Sequence, residues 1–227
     1  MVLSMILLCS ATKTAYSSCM RQNNPPLIIV LGPTGSGKTA RAIDIAKKVG
    51  GEIISADSRQ IYRHCNIGTE KVTKTEMRGV PHHCIDIASP KRRFSVTQWR
   101  AHAERALKGI YARGNVPILA GGTGMYIDAL VYGVKYPDVP PNTVLRKKLE
   151  KTSPRELYTH LRAIDPKRAR TIEKDNPRRL IRAIEIATAL GTVPPLPALR
   201  TPHFATKWVH TNVSFVELET RIATRIH

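Results

Sequence analysis

The sequence predicts an α/β fold, a parallel sheet flanked by helices, that carries a small, basic, all-helical insertion lobe. Three observations lead there. From Leu27 to Gly124, short apolar runs of strand length alternate with amphipathic helical stretches. The first run stops at a glycine-rich turn and the chain restarts as a helix. A proline-rich break, Pro137 to Pro141, then separates this alternation from a helical stretch of very different charge.

Leu27-Ile28-Ile29-Val30-Leu31 is continuously apolar, as a strand buried on both faces requires, and Ala40 to Val49 is the amphipathic helix that follows it. Glu52 to Ala56 reads as a short second strand that delivers Asp57 at its C-terminal end, the ligand side of a parallel sheet. Pro81 to Asp86 reads as a loop entering another short strand. Ser95 to Arg113 carries Trp99, Ala103, Ala106, Leu107 and Ile110 on one helical face. Val116 to Ala120 is a third strand, ending in Gly121-Gly122-Thr123-Gly124. Beyond the proline break, residues 146–182 hold 13 Lys or Arg against five acids, so positive charge is concentrated there. Pro194, Pro195, Pro197 and Pro202 mark a linker before a final strand-like run, Val213 to Val216. On this reading residues 1–24 are a disordered extension, 25–136 with 195–227 form the α/β core, and 137–194 form the helical lobe.

The chain has 227 residues, 42% of them hydrophobic, enough for one good core. Its 36 Lys and Arg against 17 Asp and Glu give a formal charge of +19, which points to a polyanionic partner, nucleic acid first. Cys9, Cys19, Cys65 and Cys84 form no C-x-x-C pair and no metal-like spacing with the histidines, as expected of a reduced, cytoplasmic protein. Met1 to Ala11 is apolar but lacks a basic n-region and is too short to span a bilayer, so no membrane role is expected.

Gly32-Pro33-Thr34-Gly35-Ser36-Gly37-Lys38-Thr39 is a complete G-x-x-x-x-G-K-[ST] phosphate loop, set between strand and helix. Such a turn aims backbone N–H groups and the positive end of a helix at one point, which suits a di- or triphosphate. Lys38 reaches outer phosphate oxygens, and the Thr39 hydroxyl is placed to ligate Mg²⁺. A nucleoside triphosphatase normally adds an apolar strand ending in Asp. Here the strand at Val116 ends in glycines, and Asp57 is the acid at the end of an obvious strand. The residues alone leave Asp57 as either a displaced magnesium ligand or a base facing an acceptor.

Six ordered motifs then carry a resemblance. They are Gly32 to Thr39, Ala56 to Arg63, Ile67-Gly68-Thr69, Pro81-His82-His83 with Ile85-Asp86-Ile87, Gly121 to Gly124 with Tyr126, and Asp165-Pro166 followed by Arg178 to Glu185. In that order the chain resembles the tRNA dimethylallyltransferases, from Leu27 to about Arg225. The resemblance implies a P-loop NTPase-like core, dimethylallyl diphosphate as donor, Mg²⁺ as cofactor, and N6 of an adenosine beside the tRNA anticodon as acceptor. It gives Asp57 the role of base, with Lys38 and Thr39 on the leaving diphosphate. It places Asp57, Ser58, Arg59, Gln60, Thr123, Arg146 and the stretch Arg178-Arg179-Leu180-Ile181-Arg182 against tRNA. It assigns His82 and His83 no catalytic step, and a monomer is expected. Family members generally continue past the point matching Arg225, so the chain reads as C-terminally shortened. Rival expectations are an adenylate prenyltransferase acting on free nucleotide, a tRNA-binding protein without turnover, and a nucleotide kinase or NTPase.

Overall fold

A computed structural model describes residues 24–196 and 201–226, so the expected extension lies, except for Asn24, outside the described residues. The chain divides into two compact units, residues up to Val134 with those from Arg200 onward, and Lys135 to Leu199.

The first unit is built on a five-stranded sheet of β1 (Leu27–Leu31), β2 (Gly51–Ser55), β3 (His82–His83), β4 (Val116–Ala120) and β5 (Thr206–His210). The spatial order is β3-β2-β4-β1-β5 and every pairing is parallel. The period of two along a strand sorts its side chains onto two faces. Leu27, Ile29, Ile54 and Leu119 enter one core, shared with α3 (Val96–Ala112) and α4 (Gly124–Val131). Ile28, Val30, Ile53 and Ile118 enter the other, under α1 (Lys38–Val49). Each such fully buried Leu or Ile stabilises by about 1.5–3 kcal/mol, and this is why the strands read as apolar without alternation.

Helix ends follow local chemistry. Gly37 precedes α1 with φ of 79°, a conformation that a side chain would strain, and Gly50 closes it with φ of 63°. Ser95 and Gln98 form a reciprocal capping box at the start of α3, and Thr73 with Glu76 does the same for the short α2 (Lys74–Met77).

The C-terminal part departs from expectation. Val213 to Val216 is not a strand: β5 lies earlier, paired with β1 from Leu27↔Thr206 to Leu31↔His210, and Phe215–Ile226 is a helix, α9. The run of apolar residues is too short to decide between the two periods. Ser214 starts the helix, its hydroxyl accepting from Glu217 N at 3.3 Å and its carbonyl from Leu218 N at 3.0 Å.

The second unit is helical: α5 (Thr143–Leu149), α6 (Pro154–Ile164), α7 (Pro166–Ala169) and α8 (Pro177–Leu190). Asn142, Ser153, Asp165 and Asn176 each cap the helix that follows with a side-chain oxygen. Proline occupies the first turn of α6, α7 and α8, where a missing N–H costs nothing. Leu149, Leu157, Leu161, Leu180 and Ile184 form the core of the unit.

Candidate functional site

The turn from β1 to α1 and the ends of β2 and β4 line one cavity of about 640 Å³. Gly35, Lys38, Thr39, Asp57, Gln60 and Gly121 face it. Lys38 Nζ donates to the Pro33 carbonyl at 2.5 Å, so its ammonium lies across its own loop. Burial lowers the Lys38 pKa, opposed by the nearby negative charges of Asp57 and Glu70. Ser36 is 4% exposed, and its hydroxyl meets that of Thr211 at 2.7 Å, which in turn donates to Leu31 O at 3.1 Å. The phosphate loop is therefore strapped to the segment after β5.

Asp57 is half-buried and divides its carboxylate. Oδ1 accepts from the backbone N–H of Arg59 at 2.7 Å and of Gln60 at 3.4 Å, closing the turn after β2. Oδ2 makes no hydrogen bond among the described residues and is available to a substrate. Ser58 N donates to Thr123 Oγ1 at 3.1 Å, and Thr123 N donates to Ala56 O at 3.1 Å. Gly121 makes this possible, because a Cβ there would lie 2.3 Å from Ala56 O. Behind the turn, Trp99 Nε1 donates to Ser55 O at 3.1 Å and the indole stacks on Tyr126 with centroids 4.3 Å apart. Burial first, then Tyr62 and Asp57, push the Tyr126 phenol up to about 12, so it stays neutral.

Other positions are tied into the fold. Gln60 is 9% exposed and gives its amide to Glu70 O at 3.0 Å. Lys71, whose side chain is 5% exposed, holds Tyr62 O at 2.5 Å, Asn66 Oδ1 at 3.1 Å and Asp86 Oδ1 at 2.6 Å. His83 Nε2 binds Glu52 Oε2 at 2.7 Å, and His82 Nδ1 meets Val80 O at 2.8 Å, so this pair serves the loop around β3. Burial lowers the His82 pKa.

In the second unit the expected RNA residues separate. Arg178 and Arg179 are exposed, the latter paired with Glu173 at 2.9 Å. Arg146 clamps the buried carboxylate of Glu185 with two N–H groups, one at 3.1 Å. Arg182 Nη1 donates to Val139 O at 2.9 Å. Leu180 and Ile181 sit in the helical core, 0% and 6% exposed, where a polyanion meets neither side chain. Sequence reasoning missed Arg221, whose Nη1 reaches Gly35 O at 3.4 Å from α9, and Gly68, Thr69 and Glu70 on the cavity wall. The Ile67-Gly68-Thr69 motif was a signal for the latter; an Arg in an amphipathic helix is none.

Among the described residues no group of three or more His, Cys, Asp or Glu could hold a metal, and no helix is long and apolar enough to cross a membrane.

A family model described as IPP transferase matches residues 60–227, and one described as isopentenyl transferase matches residues 25–91. The tRNA dimethylallyltransferase of Thermomicrobium roseum is 42% identical over 206 residues, 88% of this chain and 63% of that protein. That of Anoxybacillus flavithermus is 44% identical over 165 residues, 73% of this chain and 53% of that protein. The structure of the full-length tRNA isopentenylpyrophosphate transferase from Bacillus halodurans matches with TM-score 0.58 at 36% identity, over 88% of this chain and 64% of that one. A eukaryotic dimethylallyltransferase acting on tRNA matches with TM-score 0.67 at 26% identity, over 88% of this chain and 52% of that one. The chain thus spans between about half and two thirds of the length of these relatives.

Proposed function

The chain belongs to the IPP transferase family, and we propose that it transfers a dimethylallyl group from dimethylallyl diphosphate to N6 of an adenosine beside the anticodon of tRNA. The observation that carries this reading is the convergence of the phosphate loop, Lys38, Thr39 and Asp57 on one cavity, beside a β4 strand followed directly by Gly121 where an NTPase has its aspartate.

The C1–O bond of the donor breaks as a C1–N6 bond forms, and negative charge builds on the departing diphosphate. The loop N–H groups and Lys38 stabilise that charge, with Arg221, itself paired with Glu217 at 2.6 Å, donating beside the loop to Gly35 O. Oxygen donors suit a hard cation that keeps waters and shares substrate oxygens, and Thr39 would hold Mg²⁺ in this way, with Asp57 on the same cavity. When bound, Mg²⁺ supplies Lewis-acid neutralisation of diphosphate charge. Asp57 Oδ2 accepts a hydrogen bond from N6 and takes its proton as the amine becomes cationic, while Oδ1 stays in the turn. The adenine must leave its stack, at a cost of a few kcal/mol that phosphate contacts offset. The basic helical unit supplies such contacts through residues such as Arg178.

The test is incubation of the chain with dimethylallyl diphosphate, Mg²⁺ and either unmodified tRNA or free AMP, followed by nucleoside analysis. Prenylated adenosine from tRNA and none from AMP is expected. Product from AMP with none from tRNA would overturn the assignment of the acceptor.

A further inference from the structure

The charge on this chain is not confined to the helical unit. Residues 89–113, the loop before α3 and α3 itself, hold seven Lys or Arg against one acid, Glu104. Two of the seven are neutralised: Arg100 pairs with Glu104 and Arg113 with the buried Glu52, both at 2.7 Å. Lys91, Arg92, Arg93, Arg105 and Lys108 are exposed and form no ion pair among the described residues. Arg105 and Lys108 are three apart on α3, so their charges are neighbours and repel. Beside them His83, His102, Arg105 and Arg113 line a depression of about 380 Å³, room for a phosphate group. Burial, with the charge of Arg105 adding to it, lowers the His102 pKa.

We propose that this ridge is a second contact for the phosphodiester backbone of RNA, on the unit that carries the phosphate loop. The proposal rests on tRNA being the substrate. The ridge lies on the opposite face of the sheet from α1, since α3 packs on the core of Leu27, Ile29 and Leu119 while α1 packs on that of Ile28, Val30 and Ile118. At 17 residues α3 is about 26 Å long, enough to follow several consecutive phosphates. No large hydrophobic side chain between residues 89 and 113 is exposed. A surface that binds anionic lipid pairs its basic residues with apolar ones that enter the bilayer, and this one has none to offer. Unpaired basic side chains, two on α3 and three on the loop before it, are what sequence-independent backbone binding uses.

The test compares the full chain with the fourfold variant R92Q/R93Q/R105Q/K108Q in binding to unmodified tRNA across a range of salt concentrations. None of these four side chains is in an ion pair among the described residues, so the melting temperature should stay at the wild-type value. The variant should bind at least about 10-fold more weakly, with a log–log salt slope shallower by about 2 or more, near 0.9 for each phosphate that is no longer neutralised. Adding Arg178→Gln in the helical unit should lower the slope further, as independent sites do. If the wild type binds tRNA and the variant matches it in affinity and slope, the ridge proposal falls and the proposed function stands. If the wild type itself does not bind tRNA, both fall. If the variant loses binding to phosphatidylserine vesicles while its tRNA slope is unchanged, the ridge is a lipid surface and the RNA assignment is overturned.

Discussion

Thr123 Oγ1 accepts the backbone N–H of Ser58 at 3.1 Å, binding the turn after β4 to the turn that carries Asp57. The two turns come from strands paired in the sheet, Ser55↔Ala120, so Asp57 and the glycine-rich turn hold their spacing through main-chain geometry.

Gly121→Ala should break this junction, since its Cβ would overlap Ala56 O, a backbone atom that cannot swing aside. The expected cost is about 1–3 kcal/mol of unfolding free energy, read from urea titration. Thr123→Val should lose about 1 kcal/mol and about 10-fold in transfer rate, and Thr123→Ser should recover both. A Thr123→Val chain with wild-type rate would remove this hydrogen bond from the positioning of Asp57.

Glu52 gives an acid-sensitive edge. Its side chain is 3% exposed and accepts from Arg113, Asn115 and His83, and the Arg113 guanidinium above all holds its pKa down at about 2. A carboxylate with a depressed folded pKa stabilises the protein fully above its unfolded value near 4.5. That contribution, about 3 kcal/mol, is lost as pH falls from 4.5 toward 2. Urea unfolding at pH 7 and pH 3 should show about 2 kcal/mol of this loss in the wild type, since pH 3 is still above the folded value, and a flatter profile in Glu52→Gln. Equal pH dependence in the two chains would contradict the assignment.

Arg146→Ala leaves the buried Glu185 carboxylate with the Asn142 N–H at 3.0 Å and the more distant Arg182 guanidinium at 3.8 Å, and should destabilise the helical unit by about 1.5–3 kcal/mol. The double variant R146M/E185L removes both charges and should fold near wild-type stability. Its tRNA affinity then separates two roles: recovered binding makes Arg146 a brace for α8, and weakened binding with a restored fold makes it an RNA-binding residue.

Lys71→Met removes the ammonium that fastens residues 62–71 to Asp86. Amide hydrogen exchange over that loop should speed up at least about 10-fold while β1 and β4 stay protected. Unchanged exchange would show that the backbone holds the loop alone.

These features differ in how far the sequence displayed them. β1, the phosphate loop and Asp57 were legible because each is a contiguous pattern whose chemistry is local. Arg221 was not, because its hydrogen bond to Gly35 joins residues 186 apart. For Arg146 and Arg182 the tRNA contact came from the resemblance, and nothing local in the sequence displays their hydrogen bonds to Glu185 and to the Val139 carbonyl, partners 39 and 43 residues away. Val213 to Val216 read as a strand because a short apolar run fits either period, and the cap at Ser214 decides it.

On the proposed function this phosphate loop holds a leaving group and not a nucleotide for hydrolysis. One assay addresses it directly: the phosphorus product released by the chain, with Mg²⁺ and unmodified tRNA, from dimethylallyl diphosphate or from ATP. Diphosphate from the prenyl donor is expected, dependent on tRNA and equal in amount to the prenylated adenosine formed. Orthophosphate from ATP, with no diphosphate from the prenyl donor, would contradict it.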